Sequence, residues 1–111
     1  MDSIFLTIKK MLGLDPDYDA FNLDILVDIN SALMSLNQLG VGPISGFTVT
    51  GENETWTDLL GEVSNLEAVK SYIFLKVKSM FDAPSSSYAV DSLNKMIAEH
   101  EWRIMIQAEH E

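Results

Sequence analysis

Residues 64–84 constrain the fold more than any other stretch of this chain. Read as a helix at about 100° per residue, they place Leu66, Val69, Ile73, Phe74, Val77, Met80 and Phe81 on one stripe roughly 140° wide. Ser64 or Asn65 is positioned to cap the first free N–H groups, and Pro84 stops the helix by pushing its predecessor out of the helical region. A helix over about residues 65–82 is therefore predicted. A stripe this wide suits a central helix touched by several others. Leu75 falls nearly opposite the stripe, on the side expected to be free.

The flanking segments supply partners. Ser3 caps a short first helix whose apolar side is Ile4, Phe5, Ile8, Met11 and Leu12, ended by Gly13. Asp15-Pro16-Asp17-Tyr18-Asp19 reads as a polar, turn-rich connector. A second helix starts near Phe21 or Asn22 and runs to about Gln38, with Ile25, Ile29, Ala32, Leu33 and Leu36 as its core face. Asp24 suits the positive end of that helix, and Gly40 suits a left-handed cap at its close.

Residues 40–56 break the helical pattern. Gly40, Gly42, Pro43, Gly46 and Gly51 interrupt any helix, and Phe47-Thr48-Val49-Thr50 favours an extended strand. Gly51-Glu52-Asn53 reads as a turn and Glu54-Thr55-Trp56 as a short return strand, so a small hairpin is expected. Thr57 is then placed to cap a helical turn over residues 58–60. After Pro84, a serine run connects to a last helix from about residue 87 to 107. Val90, Leu93, Ile97 and Ile104 form its core seam, while Ala98, Trp102, Met105 and Ile106 form a second apolar patch on another side. Two apolar faces exceed what one small core needs. The expected architecture is all-α, a small bundle of about four helices with a short β-hairpin or loop insertion between the second and the central helix. Residues 1–111 are read as a single domain.

Composition narrows the chemistry. With 111 residues and 47% hydrophobic content, a globular fold is expected. There is no cysteine, which removes disulfides, thiolate nucleophiles and cysteine metal sites. No apolar run approaches the ~20 residues of a spanning helix. The opening residues lack the positive start and long apolar core of a secretory signal, so none is expected. Net charge is −10 and unevenly spread: residues 11–69 carry ten acidic side chains and no lysine or arginine. Direct duplex binding by this segment is not expected, because affinity for DNA comes chiefly from cations meeting phosphates.

No reactive constellation emerges. Asp15-x-Asp17-x-Asp19 begins like a calcium loop, but Ala20 replaces the required glycine and Leu26 the closing glutamate. His100-Glu101 lacks the second histidine of a zinc motif, Ile104 standing in its place, and His110 lies near a chain end. No serine is paired with a histidine and an acid, and Gly40-x-Gly42-Pro43 has neither the spacing nor the lysine of a phosphate loop. Glu99 and Glu101 point to different sides of a helix, so they form no acid–base dyad. No catalytic, cofactor or metal residue is expected, and the chain is not read as an enzyme. Trp102 is the most informative side chain, as a core cover or as an anchor between subunits.

Several segments, in order, resemble a family of small tailed-bacteriophage proteins, the head–tail connector or adaptor proteins. They are Asp24-Ile25-Leu26, Ile29-Asn30-Ser31, Gln38-Leu39-Gly40-Val41-Gly42-Pro43, Gly46-Phe47, Thr55-Trp56, Lys70-Ser71-Tyr72-Ile73, Phe81-Asp82-Ala83-Pro84 and Glu101-Trp102-Arg103. Ala83-Pro84 stands where the family often has two prolines.

The resemblance implies a helical bundle assembled as a homo-oligomeric ring, commonly of twelve copies, beneath the portal protein of a filled capsid. Such a ring extends the DNA channel, which DNA traverses without specific binding, and docks a downstream stopper or tail-completion protein. It implies a place in the virion at the head–tail interface, with host cytoplasm as the place of assembly and no membrane partner. The acidic segment suits a channel wall, and the surplus apolar face of the last helix suits a ring neighbour. Leu75, Trp102, Met105 and Ile106 are accordingly the candidate subunit or portal contacts. Gly42, Pro43, Phe47 and Trp56 are the candidate partner-contacting residues of the loop, which suits a segment ordered by contact. The alternative reading is a small acidic regulator that mimics DNA and occupies a basic nucleic-acid-binding protein.

Overall fold

The computed structural model describes residues 3–43, 45–61 and 66–109. They form five helices: α1 (Ile4–Met11), α2 (Asn22–Gln38), α3 (Trp56–Leu60), α4 (Leu66–Phe81) and α5 (Ser87–Glu109). The all-α expectation holds. The expected cap at Ser64 or Asn65 lies outside the described residues. Helix α4 is the hub: α2 and α5 both pack against it, and α1 bridges α2 and α4. The result is a slab with extents of 38 × 35 × 21 Å.

Two neighbours on different sides bury more of α4 than one stripe. Val69, Ile73 and Val77 are buried as the periodicity predicts, but so are Tyr72 and Leu75. Leu75, expected to be free, is only 7% exposed because α5 covers the side opposite α2. Met80, expected on the stripe, is 44% exposed because the first turn of α2 leaves a groove beside it. The core face of α2 is buried at all five expected positions, and Gly40 follows the helix with φ of 93°, a conformation that favours glycine. In α1, Ile4, Phe5 and Ile8 are buried while Met11 is not, and Ser3 caps the helix by accepting from the Leu6 N–H at 3.2 Å.

The expected hairpin does not form. Residues 47–50 are held instead by a side chain: Asn30 of α2 donates from Nδ2 to the Val49 carbonyl at 2.9 Å and accepts from the Val49 N–H at 2.8 Å. That pair of bonds occupies both backbone groups a strand partner would have used. The return segment pairs elsewhere. Ser3 and Thr55 form an isolated antiparallel bridge, and the Ile4 N–H donates to the Glu54 carbonyl at 3.1 Å. The intervening turn is closed by the Glu54 carboxylate, which accepts from the Thr50 hydroxyl at 2.6 Å and the Gly51 N–H at 3.3 Å. The Thr50 bond is the main reason the Glu54 carboxyl lies below its ordinary value.

Thr55, not Thr57, caps α3. Its hydroxyl accepts from the Asp58 N–H while the Asp58 carboxylate accepts from the Thr55 N–H, a reciprocal capping box. That registration makes Trp56 the first residue of a helix and buries it. Its indole N–H donates to Thr7 Oγ1 at 3.1 Å, and Thr7 in turn donates to the Ser3 carbonyl. Lys9 is also buried, its ammonium donating to the Pro16 carbonyl at 3.0 Å and lying 5.4 Å from the Phe5 ring centre. It ties α1 to the acidic connector, a role its position in the sequence did not disclose.

Candidate functional site

The surfaces that stand out are apolar faces left uncovered. Helix α5 is attached to α4 through Leu93, Ile97 and Ile104, all buried, and through a hydrogen bond from the Tyr72 hydroxyl to Glu101 Oε2 at 2.9 Å. Burial, then the adjoining Glu101 carboxylate, holds the Tyr72 phenol well above its ordinary range, so it stays protonated. Turned about 130° away from that seam are Ala98, Trp102 and Met105, with Lys95 about two turns and Asp91 about three turns before Trp102 on the same line. All five are exposed, Trp102 at 59%. Ile106 is half-buried at the edge of this face. An ion pair between Arg103 and Glu99 flanks it.

The structure exposes a second such face that the sequence reading missed. Leu23, Val27 and Met34 lie on α2 about 150° from its core face, and all are largely exposed. Their spacing was legible as a helical stripe, but the stronger core stripe of the same helix drew the assignment. Beside it runs a groove of about 590 Å³ between the start of α2 and the end of α4. Its apolar lining includes Phe21, Val27, Met80 and Phe81; Asp24, Asp28 and Asp82 supply its charge. Tyr18, Phe21 and Phe81 form an edge-to-face chain, with ring centres 5.8 and 5.4 Å apart, that stiffens one wall. Burial and then the neighbouring Asp24 push the Asp28 carboxyl above its ordinary value. Asp82 is paired with Lys78 at 3.4 Å, whereas Asp24 and Asp28 have no ion-pair partner among the described residues.

The other expected contact residues are distributed differently. Leu75 forms part of the lining of an apolar cleft of about 420 Å³ between α4 and α5, near Tyr88 and Met96, rather than a free surface. Gly42 and Pro43 are exposed, and the loop they occupy is held to α2 by Asn37, which donates to the Pro43 carbonyl at 2.7 Å. Gly42 has φ of 88°, and a Cβ there would meet Leu59 Cδ1 at 3.1 Å, so any side chain is disfavoured twice over. Phe47 packs half-buried against the core. Trp56, at 3% exposure, is a core residue and not a free loop side chain. The loop is thus already seated on α2 and the core.

Among the described residues no group of histidine or acidic side chains is arranged to hold a metal, and no helix is long and apolar enough to cross a membrane. His100 makes only a local contact, Nδ1 to the Met96 carbonyl at 2.9 Å. A family model described as phage connector protein matches residues 4–111. No curated protein and no solved structure matches the chain.

Proposed function

Because this chain belongs to the phage connector protein family, we propose that it works as a subunit of a head–tail connector ring seated under the portal. The family carries the structural role and the place in the virion. The observation that supports a ring is the pair of unlike apolar faces on α2 and α5, the two helices that flank α4. A subunit that contacts two neighbours through two different surfaces closes a ring when the rotation between copies permits. The ring, commonly of twelve copies in such assemblies, extends the DNA channel and offers the next tail component a docking surface.

The function is one of fit and repulsion, without catalysis. Asp15, Asp17 and Asp19 form an exposed acidic connector, and facing the channel they would keep DNA from adhering as it slides. Electron microscopy of the protein mixed with its candidate portal tests the reading. Rings stacked on the portal, with acidic side chains of residues 11–69 towards the lumen, are the expected result. A chain that leaves the portal bare, or a lumen lined by Lys10, Lys70 or Lys76, overturns it.

A further inference from the structure

Two carboxylates of the α2 groove, Asp24 and Asp28, stand one helical turn apart, a spacing at which like charges weaken a helix. Neither has an ion-pair partner among the described residues, and the third acid of the groove, Asp82, already holds Lys78. Asp28 is half-buried, and no hydrogen-bond donor among the described residues meets its carboxylate. Burial and then Asp24 raise its carboxyl above the ordinary value, as suits a site short of a cation. The subunit by itself thus breaks two local rules at one place, and such departures gather where a protein meets something else.

The same groove is walled by rings. Phe21, 41% exposed, packs edge to face with both Tyr18 and Phe81, and Val27 and Met80 extend the apolar lining. An aromatic wall beside two carboxylates favours a cation that is flat and weakly hydrated. A guanidinium meets both demands, because its faces stack on rings while its N–H groups fork onto carboxylates. A lysine ammonium, compact and strongly hydrated, answers the charge but gains less from the rings. This chain has no such cation to spare. Its single arginine, Arg103, is paired with Glu99 of the same helix, Lys95 shares its line with Asp91, and residues 11–69 carry no lysine or arginine.

We propose that the groove between the start of α2 and the end of α4 reads an arginine of a different polypeptide. The guanidinium lies against Phe21 and Phe81 and is forked by Asp24 and Asp28, while an apolar side chain beside it in the partner covers Val27 and Met80. A groove of about 590 Å³ has room for both. The inference goes beyond the ring reading and does not depend on it, since every wall of the site belongs to one subunit.

The test uses the full chain and the blocked dipeptide acetyl-leucyl-arginine amide, followed by NMR titration. Saturable shifts are expected at Phe21, Asp24, Asp28 and Phe81. The Asp28 carboxyl should fall back towards its ordinary value as the peptide binds, because a nearby cation favours the charged form. The lysine analogue is expected to bind about fivefold more weakly, and Asp28→Asn to weaken the arginine peptide about tenfold. The uncharged citrulline analogue should not saturate. Glu52→Gln, outside the groove lining, should leave binding unchanged. Absence of saturable shifts in the groove overturns the proposal. Equal binding of the arginine and lysine peptides would show attraction to negative charge alone and overturns it as well, as does binding that survives Asp24→Asn and Asp28→Asn together. Shifts in the free protein that grow with its own concentration and vanish in Arg103→Gln would put a second copy in the groove, which also overturns it.

Discussion

The two tryptophans of this chain occupy opposite kinds of environment. Trp56 is 3% exposed, starts a helix fixed by a reciprocal capping box, and hands its indole proton to Thr7. Trp102 is 59% exposed on the outer side of a long helix whose other side is the one packed on α4. The region around Trp56 is closed: helix caps, a backbone bridge to Ser3 and the Asn30 clamp all terminate within the subunit. The region around Trp102 is open: its apolar stripe is exposed, and Lys95 has no ion-pair partner among the described residues. The same side chain is therefore sealed in the core in one place and left in water in the other, and the surrounding polar groups mark the difference.

The largest effect expected from that contrast is on Trp56. Trp56→Ala removes a buried indole and leaves Thr7 without its donor, and is expected to cost about 3–5 kcal/mol of folding free energy. Chemical denaturation of the variant measures it. A loss under about 1 kcal/mol would mean the cavity collapses freely, and the distinction between a closed and an open region would weaken.

Sequence reading captured one of these regions much better than the other. Helix positions and the core face of α2 follow from periodicity, as do most of those of α1 and α5, where only Met11, exposed, and Leu12 and Val90, half-buried, depart from the expected face. The Trp56 region was misread because local strand preference in Phe47-Thr48-Val49-Thr50 is real, yet the partner that satisfies the backbone is a side chain distant in sequence. Nothing near Val49 announces Asn30. Thr55 and Thr57 are equally good caps locally, and the choice is made by Asp58 reaching back to the Thr55 N–H. Leu75 was misplaced for the opposite reason, since one helix wheel shows one stripe while α4 has neighbours on two sides. The Trp102 face was legible because its apolar residues recur on one side of α5 away from the core seam, and the α2 groove was not, because its walls come from two helices far apart in the chain.

The Asn30 clamp provides the next test. Asn30→Ala frees both backbone groups of Val49, a residue 1% exposed on the way to Trp56, and is expected to cost about 1–3 kcal/mol. Hydrogen exchange at the Val49 amide should rise more than exchange in α5. Equal rises in both would show that the closed region is not a separate local unit.

A smaller effect is expected at the part-buried hydrogen bond that ties Tyr72 of α4 to Glu101 of α5. Tyr72→Phe removes its hydrogen bond to Glu101 and is expected to cost about 1.5 kcal/mol at neutral pH. The same tie sets an alkaline limit. The native state holds the Tyr72 proton above the ordinary phenol value of 10.0, while the unfolded chain releases it there. Stability is therefore independent of this group below that value and falls as pH rises beyond it, because the unfolded state binds fewer protons. Tyr72→Phe should remove that part of the alkaline decline, as followed by denaturation at a series of pH values.

The smallest effect on folding is the most decisive for the contrast. Trp102→Ala removes a side chain that is mostly in water within the subunit, so the loss of folding stability should stay near or below about 0.5 kcal/mol. Helix content should be unchanged, since alanine propagates a helix better than tryptophan does. On the ring reading, assembly on the portal should nevertheless fail, because Trp102 is then an aromatic anchor of the contact with a neighbour. Two measurements on one variant, thermal unfolding and ring formation, place the residue. Early melting with normal rings would assign Trp102 to the core and make it a second Trp56. Normal melting with absent rings would fix the division between a face that holds the subunit together and a face that holds subunits to one another.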